Sequence, residues 1–419
     1  MSRMRAEFPE GGATWEDLST ELHARSNGDI DWRNGRAPLF VFGADDETYQ
    51  VGRRAFFKFF SENALGRKRA FFGLGQMERD VLDYGLTLLN APDAAEGAFT
   101  TGGSESLFLA MKAARDELRA RSGFKPGDGR LNIVMPITGH PGMDKAADAM
   151  DLEIKRGAVD AERRGYAKTL RPLIDDRTIA IVGSAPCFPH GVMDRIDELS
   201  DLALETERWL HVDSCVGGWL APWFTHIGRP TPDFDFRFPG VRSISADLHK
   251  FGFCPKPAST VFYREAEDLE RATFKADAWP NGPFQTATIA GTRPGGAVAA
   301  AWAVLNHLGE SGFKRIAKRL GSVVDGYVDG VEALGFRMIA RPDFSIINYT
   351  SDEVDIFDIA ETMEPMGWLP GLTRDPKGMH AMLSLLHDDA RAPFLEDLAS
   401  ALTHVRANGA GQAKIDAVY

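Results

Sequence analysis

Short apolar runs alternate with amphipathic stretches along much of this chain of 419 residues. Leu131 to Met135, Thr178 to Gly183, Trp209 to Asp213 and Ser259 to Tyr263 are brief, apolar or β-branched, and read as buried strands. A further strand-like run leads into Ser243-Ile244-Ser245-Ala246. Gln76 to Leu89 carries apolar residues at helical spacing and predicts an amphipathic helix. Strand and helix signals in alternation predict an α/β unit with a mostly parallel central sheet. The first 55 residues read as an arm. A capped helix is expected near Thr14-Trp15-Glu16-Asp17-Leu18, and turns at Asn27-Gly28 and Asn34-Gly35. Phe56 to Phe60 is expected to open a helical region. Gly295 to His307 is helix-prone and reads as a bridge to a last unit, where Phe336 to Ala340, Ser345 to Tyr349 and Met379 to Leu386 read as strands. The predicted organisation is an arm over 1–55, a large α/β domain over 56–308 and a smaller α+β domain over 309–419.

A hydrophobic content of 44% and a charged content of 26% are ordinary for a soluble globular protein. The net charge of -12 argues against nucleic acid or anionic membrane surfaces as partners. Cys187, Cys215 and Cys254 are too few and too scattered for a disulfide framework or a structural zinc, and free thiols suit a reducing cytosol. The opening Met1 to Glu10 turns acidic before any apolar run and does not read as a signal peptide. Ala297 to Leu305 is the most apolar stretch and is far too short to span a bilayer.

The chemistry concentrates at a few places. His249-Lys250 follows a strand-like run and precedes a Gly/Pro turn, and upstream Asp213 ends a buried strand. A lysine able to form a Schiff base and a carboxylate to face a pyridinium nitrogen are the fixed requirements of pyridoxal phosphate (PLP) chemistry. Thr101-Gly102-Gly103-Ser104-Glu105-Ser106 opens an apolar helix and offers backbone N–H groups to a phosphate, or else is a Gly-rich turn with Ser104 as helix cap. His140, in a loop before a helix, can stack on a flat ring or be a surface histidine. His249 can meet the cofactor phosphate or shuttle protons, and Lys256 can meet a substrate anion or lie solvated in its loop. Ile289 to Gly296 is a second small-residue turn before a helix, and Cys215 reads as a small packing residue rather than a nucleophile.

Together these motifs resemble the sphingosine-1-phosphate lyase branch of the group II PLP-dependent decarboxylases, over nearly the whole chain. Phe8-Pro9-Glu10-Gly11 and Asp31 to Arg36 are similar to that branch's lead-in, Thr101 to Ser106 to its phosphate turn, and His140 with Asp144-Lys145-Ala146 to its ring-stacking segment. Pro186 to Asp194 is similar to its proline-rich loop. His211-Val212-Asp213-Ser214-Cys215 matches the pyridinium-aspartate segment, and Ser245-Ala246-Asp247-Leu248-His249-Lys250 the Schiff-base segment. Ala290-Gly291-Thr292-Arg293-Pro294-Gly295-Gly296 resembles the segment that reaches the cofactor phosphate of a partner subunit.

The resemblance implies the aspartate-aminotransferase fold (fold type I), a homodimer with shared sites, and PLP as cofactor. It implies Lys250, His140 and Asp213 as catalytic residues, and Gly103, Ser104, Cys215, Ser245, His249, Gly291 and Thr292 as further cofactor contacts. It implies a retro-aldol cleavage of a phosphorylated 2-amino-alcohol to an aldehyde and phosphoethanolamine, with Lys256 and the Phe284 region at the substrate. A cytoplasmic enzyme meeting a lipid-derived amine from the aqueous side follows. The departures fall around the substrate: Phe284 where the family has tyrosine, Asn63-Ala64-Leu65-Gly66 for its Asn-Pro-Leu-His, and Pro257 after Lys256 for its glycine. An amino-acid decarboxylase, a β-hydroxy amino acid aldolase and a PLP-binding protein without turnover are the alternatives on the same scaffold.

Overall fold

The computed structural model describes residues 5–125, 127–409 and 413–417; the first four residues, part of the opening judged unlike a signal peptide, lie outside them. Seven strands form the central sheet: β1 (Glu96–Thr100), β2 (Leu131–Pro136), β3 (Leu152–Gly157), β4 (Thr178–Ser184), β5 (Trp209–Asp213), β6 (Val241–Ala246) and β7 (Ser259–Tyr263), in the order β1-β7-β6-β5-β4-β2-β3. The pairs from β6 through β3 are parallel, and β7 runs antiparallel to both β6 and β1.

Strand alternation divides the interior in two. Val134, Ile181, Leu210, Val212, Ile244 and Phe262 belong to one buried cluster, which continues into the long helix Gly295–Ala333. Their chain neighbours Ile133, Met135, Ala180, Val182, Trp209, Val261 and Tyr263 belong to a second cluster, with Leu107, Met111 and Met143. Each sheet face is thus covered by helices, which is why the central strands are apolar throughout rather than alternating.

The strand-like runs at 131–135, 178–183, 209–213 and 259–263 are all strands. Two strands of the central sheet escaped the hydropathy pattern. β1, Glu96-Gly97-Ala98-Phe99-Thr100, is poor in β-branched residues because it passes close to β7: a Cβ on Gly97 would lie 2.8 Å from Phe262 Cδ1. β3 is the sheet edge and carries Glu153, Lys155 and Arg156, the charges that edge strands use against unwanted pairing.

In the arm, α1 (Trp15–Ser26) is capped by Thr14, whose side chain accepts from the Asp17 N–H, and buries none of its residues. α2 (Asp46–Lys58) begins at the cap Asp45, and Phe56 to Phe60 closes it rather than opening a helical region. The carboxylates Asp45, Asp46 and Glu47 start the helix earlier because they complement its N-terminal dipole. α3 (Phe72–Leu88) contains the expected amphipathic stretch. The helix expected from Gly295 to His307 runs on to Ala333 with a break at Gly309, which adopts φ 53° and ψ -175°.

Beyond it, β10 (Arg337–Met338), β11 (Ile346–Thr350), β12 (Gly371–Arg374) and β13 (Lys377–Met382) form an antiparallel sheet in the order β10-β11-β13-β12, with helices Ile356–Met363 and Arg391–Asn408. β10 is shorter than the apolar run predicts, and β13 stops at Met382 because Ser384 and His387 form a capping box on a 3-10 turn, Leu385–His387. The Pro186 to Asp194 loop docks this sheet on the large one. Asn348 Nδ2 donates to the Pro189 carbonyl at 2.8 Å, the Asp343 N–H to the Gly191 carbonyl at 3.0 Å, and the Met193 N–H to Asp343 Oδ2 at 2.7 Å. Gly191 holds φ +70°, and a Cβ there would meet the Ile346 carbonyl oxygen at 2.0 Å. Gly191→Ala is therefore expected to destabilise the fold by more than about 1 kcal/mol in urea unfolding, because the left-handed backbone and the backbone clash add. An unchanged midpoint and slope would show that this loop gives way freely.

Candidate active site

β1 runs in the same direction as β6, so β1, β2, β4, β5 and β6 all end at one sheet edge. Open α/β sheets bind ligands outside such strand ends. Here the ends enclose a cavity of about 380 Å³. Gly102 to Glu105 follow β1, His140 follows β2, Ser184 ends β4 with Pro186 beyond it, Asp213 ends β5 with Cys215 beyond it, and Asp247, His249 and Lys250 follow β6, all lining that cavity. Of the residues singled out from sequence, Gly103, Ser104, His140, Asp213, Cys215, His249 and Lys250 are thus brought together.

Helix α4 (Gly103–Ser122) starts at this edge, with Gly102 rather than Ser104 at the cap position and no side chain capping it. The first N–H groups of an α-helix have no partner within it, so Gly103 and Ser104 present donors and a positive dipole end to the cavity they line. A side chain at Gly103 would crowd the opening, since its Cβ would lie 3.0 Å from both Asp247 Oδ2 and Cys215 Sγ.

Below the cavity a hydrogen-bond chain ends on Asp213. Trp209 Nε1 donates to Ser243 Oγ at 2.7 Å, and Ser243 lies 2.8 Å from His211 Nδ1. His211 Nε2 lies 3.3 Å from Ser245 Oγ, which donates to Asp213 Oδ1 at 3.3 Å. Full burial pushes His211 down to about 4, so the imidazole is neutral at pH 7 and relays one proton orientation along the chain. Ser245 itself is buried beneath the cavity and also accepts from the Cys215 thiol at 3.3 Å. Burial raises the Cys215 thiol well above its ordinary range, with Asp213 adding to the effect, so it is held as a thiol.

His140 is lowered by burial, which outweighs the attraction of Asp213. Its Nδ1 accepts from the Gly142 N–H at 3.0 Å, which fixes a neutral ring with the proton on Nε2. His249 is likewise lowered by burial, and its Nδ1 accepts from the Ala258 N–H at 3.3 Å. Its Nε2 therefore carries the proton, 3.6 Å from Asp247 Oδ2. Lys250 Nζ lies 3.0 Å from the same oxygen.

The remaining sequence candidates lie outside this cavity in the single chain. Lys256 donates to the Phe40 carbonyl at 2.9 Å and lines a second chamber of about 600 Å³ beneath the arm. Arg33, Arg53 and the apolar side chains Phe42, Phe56 and Phe57 line it too, and His249 lines both cavities. Phe284 sits in the hairpin of β8 (Phe274–Ala276) and β9 (Phe284–Thr286), against Phe274 and Trp279. Gly291 and Thr292 precede the long helix, where Thr292 Oγ1 accepts from Asn63 Nδ2 at 3.2 Å.

Two residues were missed from sequence. Glu105, noted only within the Thr101 to Ser106 motif, is buried: Oε2 accepts from Thr101 N and Oγ1, both at 2.7 Å, and Oε1 from the Ile289 and Ala290 N–H groups at 2.7 and 3.0 Å. Asp247 was noted only as part of a motif. Its place three residues before a candidate lysine is the signal that could have found it.

Lysine, carboxylate, a flat neutral imidazole and a helix N-terminus around one cavity define the site of an enzyme that binds an aldehyde cofactor bearing a phosphate. Residues 74–350 match the pyridoxal-dependent decarboxylase conserved domain. The chain is 32% identical over 415 residues to sphingosine-1-phosphate lyase of Oryza sativa subsp. japonica, covering 97% of this chain and 76% of that protein. It is 31% identical over 340 residues to a probable L-tyrosine/L-aspartate decarboxylase of Methanothermobacter thermautotrophicus, covering 80% of this chain and 89% of that one. The solved structure of sphingosine-1-phosphate lyase from Burkholderia pseudomallei superposes with a TM-score of 0.90 at 32% identity, over 97% of this chain and 95% of that one. The chain belongs to the pyridoxal-dependent decarboxylase family, and its cofactor is pyridoxal 5'-phosphate. The residues present fit that group: a part-buried amine, a hydrogen-bonded carboxylate and a glycine cradle that a Cβ would narrow.

Gly103→Val is expected to weaken PLP binding by about tenfold or more in equilibrium dialysis, because overpacking here costs on the order of 1–3 kcal/mol. Unchanged affinity would mean that the helix start does not hold the phosphate.

Proposed function

We propose that the protein is a PLP-dependent carbon–carbon lyase that cleaves a phosphorylated 2-amino-alcohol of the sphingosine-1-phosphate kind into an aldehyde and phosphoethanolamine. The observation that carries this reading is the likeness to sphingosine-1-phosphate lyases over almost the whole chain, at 32% identity and a TM-score of 0.90 for the Burkholderia structure.

When bound, PLP supplies an aldehyde that condenses with primary amines and a ring that, protonated, accepts the electron pair of a breaking bond. Lys250 is the amine of this chain that would take that aldehyde. Asp213, oriented by Ser245 and the His211 relay, would pair with the ring nitrogen. The neutral His140 ring would pack on the cofactor ring, and the Gly103 and Ser104 N–H groups would hold its phosphate. Lys256, Arg33 and Arg53 give the second chamber the charge for a substrate phosphate, and Phe42, Phe56 and Phe57 give it an apolar wall for a hydrocarbon chain. The cleavage needs no water: the hydroxyl proton leaves oxygen as the carbonyl forms, and a proton returns to the amine-bearing carbon. The freed Lys250 amine, with Asp247 and His249 beside it, is placed to carry that proton.

The protein acts as a homodimer in this reading. Phe57, Phe60, Phe72 and Ile289 are all more than half exposed, and an apolar surface of this kind suits burial against a second copy. That arrangement lets Gly291 and Thr292 serve the partner's cofactor phosphate, and Phe284 its substrate. Among the described residues no helix is long and apolar enough to cross a membrane, which supports a cytoplasmic enzyme that meets its substrate from the aqueous side.

Decarboxylation of an α-amino acid is the second reading, favoured by the likeness to the Methanothermobacter decarboxylase. Mass spectrometry of products from PLP-loaded protein and sphingosine 1-phosphate separates the two. Phosphoethanolamine and a long-chain aldehyde in equal amounts are expected. Carbon dioxide release from tyrosine or aspartate, with the sphingoid phosphate untouched, would overturn the lyase reading.

A further inference from the structure

The lysine proposed to take the cofactor aldehyde is held in an ion pair. Lys250 Nζ lies 3.0 Å from Asp247 Oδ2; the carboxylate is 3% exposed and the lysine side chain 19%. An ammonium cannot attack a carbonyl, because its lone pair is bound to a proton. The group that decides when Lys250 loses that proton therefore decides when the site can load.

We propose that Asp247 is a positioning residue that sets the availability of the Lys250 amine, holding it as an ammonium until an aldehyde arrives and taking it back when a substrate amine displaces it. The inference rests on the reading that Lys250 receives the aldehyde. The geometry selects Asp247 over the other groups facing the amine. Asp213 is engaged by the Cys215 N–H at 3.2 Å and by Ser245. Cys215 is held as a thiol, and His140 and His249 are both neutral rings. Glu105, across the cavity, is committed to four donors on Thr101, Ile289 and Ala290.

The electrostatics agree. Burial alone would lower Lys250, and the Asp247 carboxylate overrides it, with Asp213 adding, so that the amine lies above the usual lysine range. Burial likewise opposes the charge on Asp247, and the Lys250 ammonium holds it below the usual carboxylate range. His249 Nε2 lies 3.6 Å from the same oxygen.

The sign follows. With the carboxylate present, the neutral amine is scarce at pH 7 and loading accelerates as pH rises. Without it, burial favours the uncharged amine and the same acceleration begins at lower pH. The test follows the absorbance change of free PLP on mixing with apoenzyme across pH, for wild type, Asp247→Asn and Asp247→Ser. Lys250→Ala serves as the control. The expected result is a loading midpoint at least about one pH unit lower in both Asp247 variants, a shift of about tenfold in the neutral amine at a given pH. An unchanged or higher midpoint, in whichever variant folds, would overturn the proposal. If Lys250→Ala shows the same absorbance change as wild type, the underlying reading of Lys250 fails instead.

Discussion

Everything in this site depends on strands that end together. In a parallel sheet the carboxyl ends share an edge, and here the register pairs Asp213 of β5 with Ser245 of β6. Lys250 comes five residues after Ser245, past one turn whose Lys250 N–H bonds back to the Asp247 carbonyl at 3.2 Å. A one-residue slip between β5 and β6 would turn Asp213 to the other face of the sheet. The same slip would break the contacts of His211 with Ser243 and Ser245 that make up the relay. The register is secured by apolar residues buried on both faces, so the core that stabilises the fold also fixes the chemistry.

Around that edge the structure handles charge by pairing rather than exposure. Asp213 is fed by a neutral hydrogen-bond chain, whereas Asp247 is paired with a cation. Two carboxylates in one cavity are thereby given different surroundings and different work. Both histidines that line the cavity are fixed by a backbone N–H donated to Nδ1, which leaves each with a proton on Nε2. Glu105 adds a mechanical link, since its two oxygens join the phosphate turn to the segment before the long helix.

Much of this was legible in the chain. Apolar runs at β2, β4, β5 and β7 announced a sheet covered on both faces, because only strands buried on both sides read so evenly. Lys250 and Asp213 stood out because their chemistry is particular and their order along the chain is fixed. β1 was hidden by the glycine and alanine that let it approach β7, and β3 by the charges of an edge strand. The early start of α2 lay in acidic residues that read as a polar arm. Glu105 was opaque for another reason: a carboxylate's role depends on which donors the fold brings to it, and the Ile289 and Ala290 N–H groups reach it from the far end of the domain. The second chamber has no sequence signature, since its walls come from the arm, α2 and the loop after Lys250 together.

The central claim is that one lysine, Lys250 in the turn after β6, takes the cofactor covalently. Reduction of the PLP-loaded protein with borohydride, followed by digestion and peptide mass spectrometry, addresses it directly. The account expects a single phosphopyridoxyl group, on the peptide containing Lys250. A label on Lys256, or one spread over surface lysines with Lys250 unmodified, would contradict it.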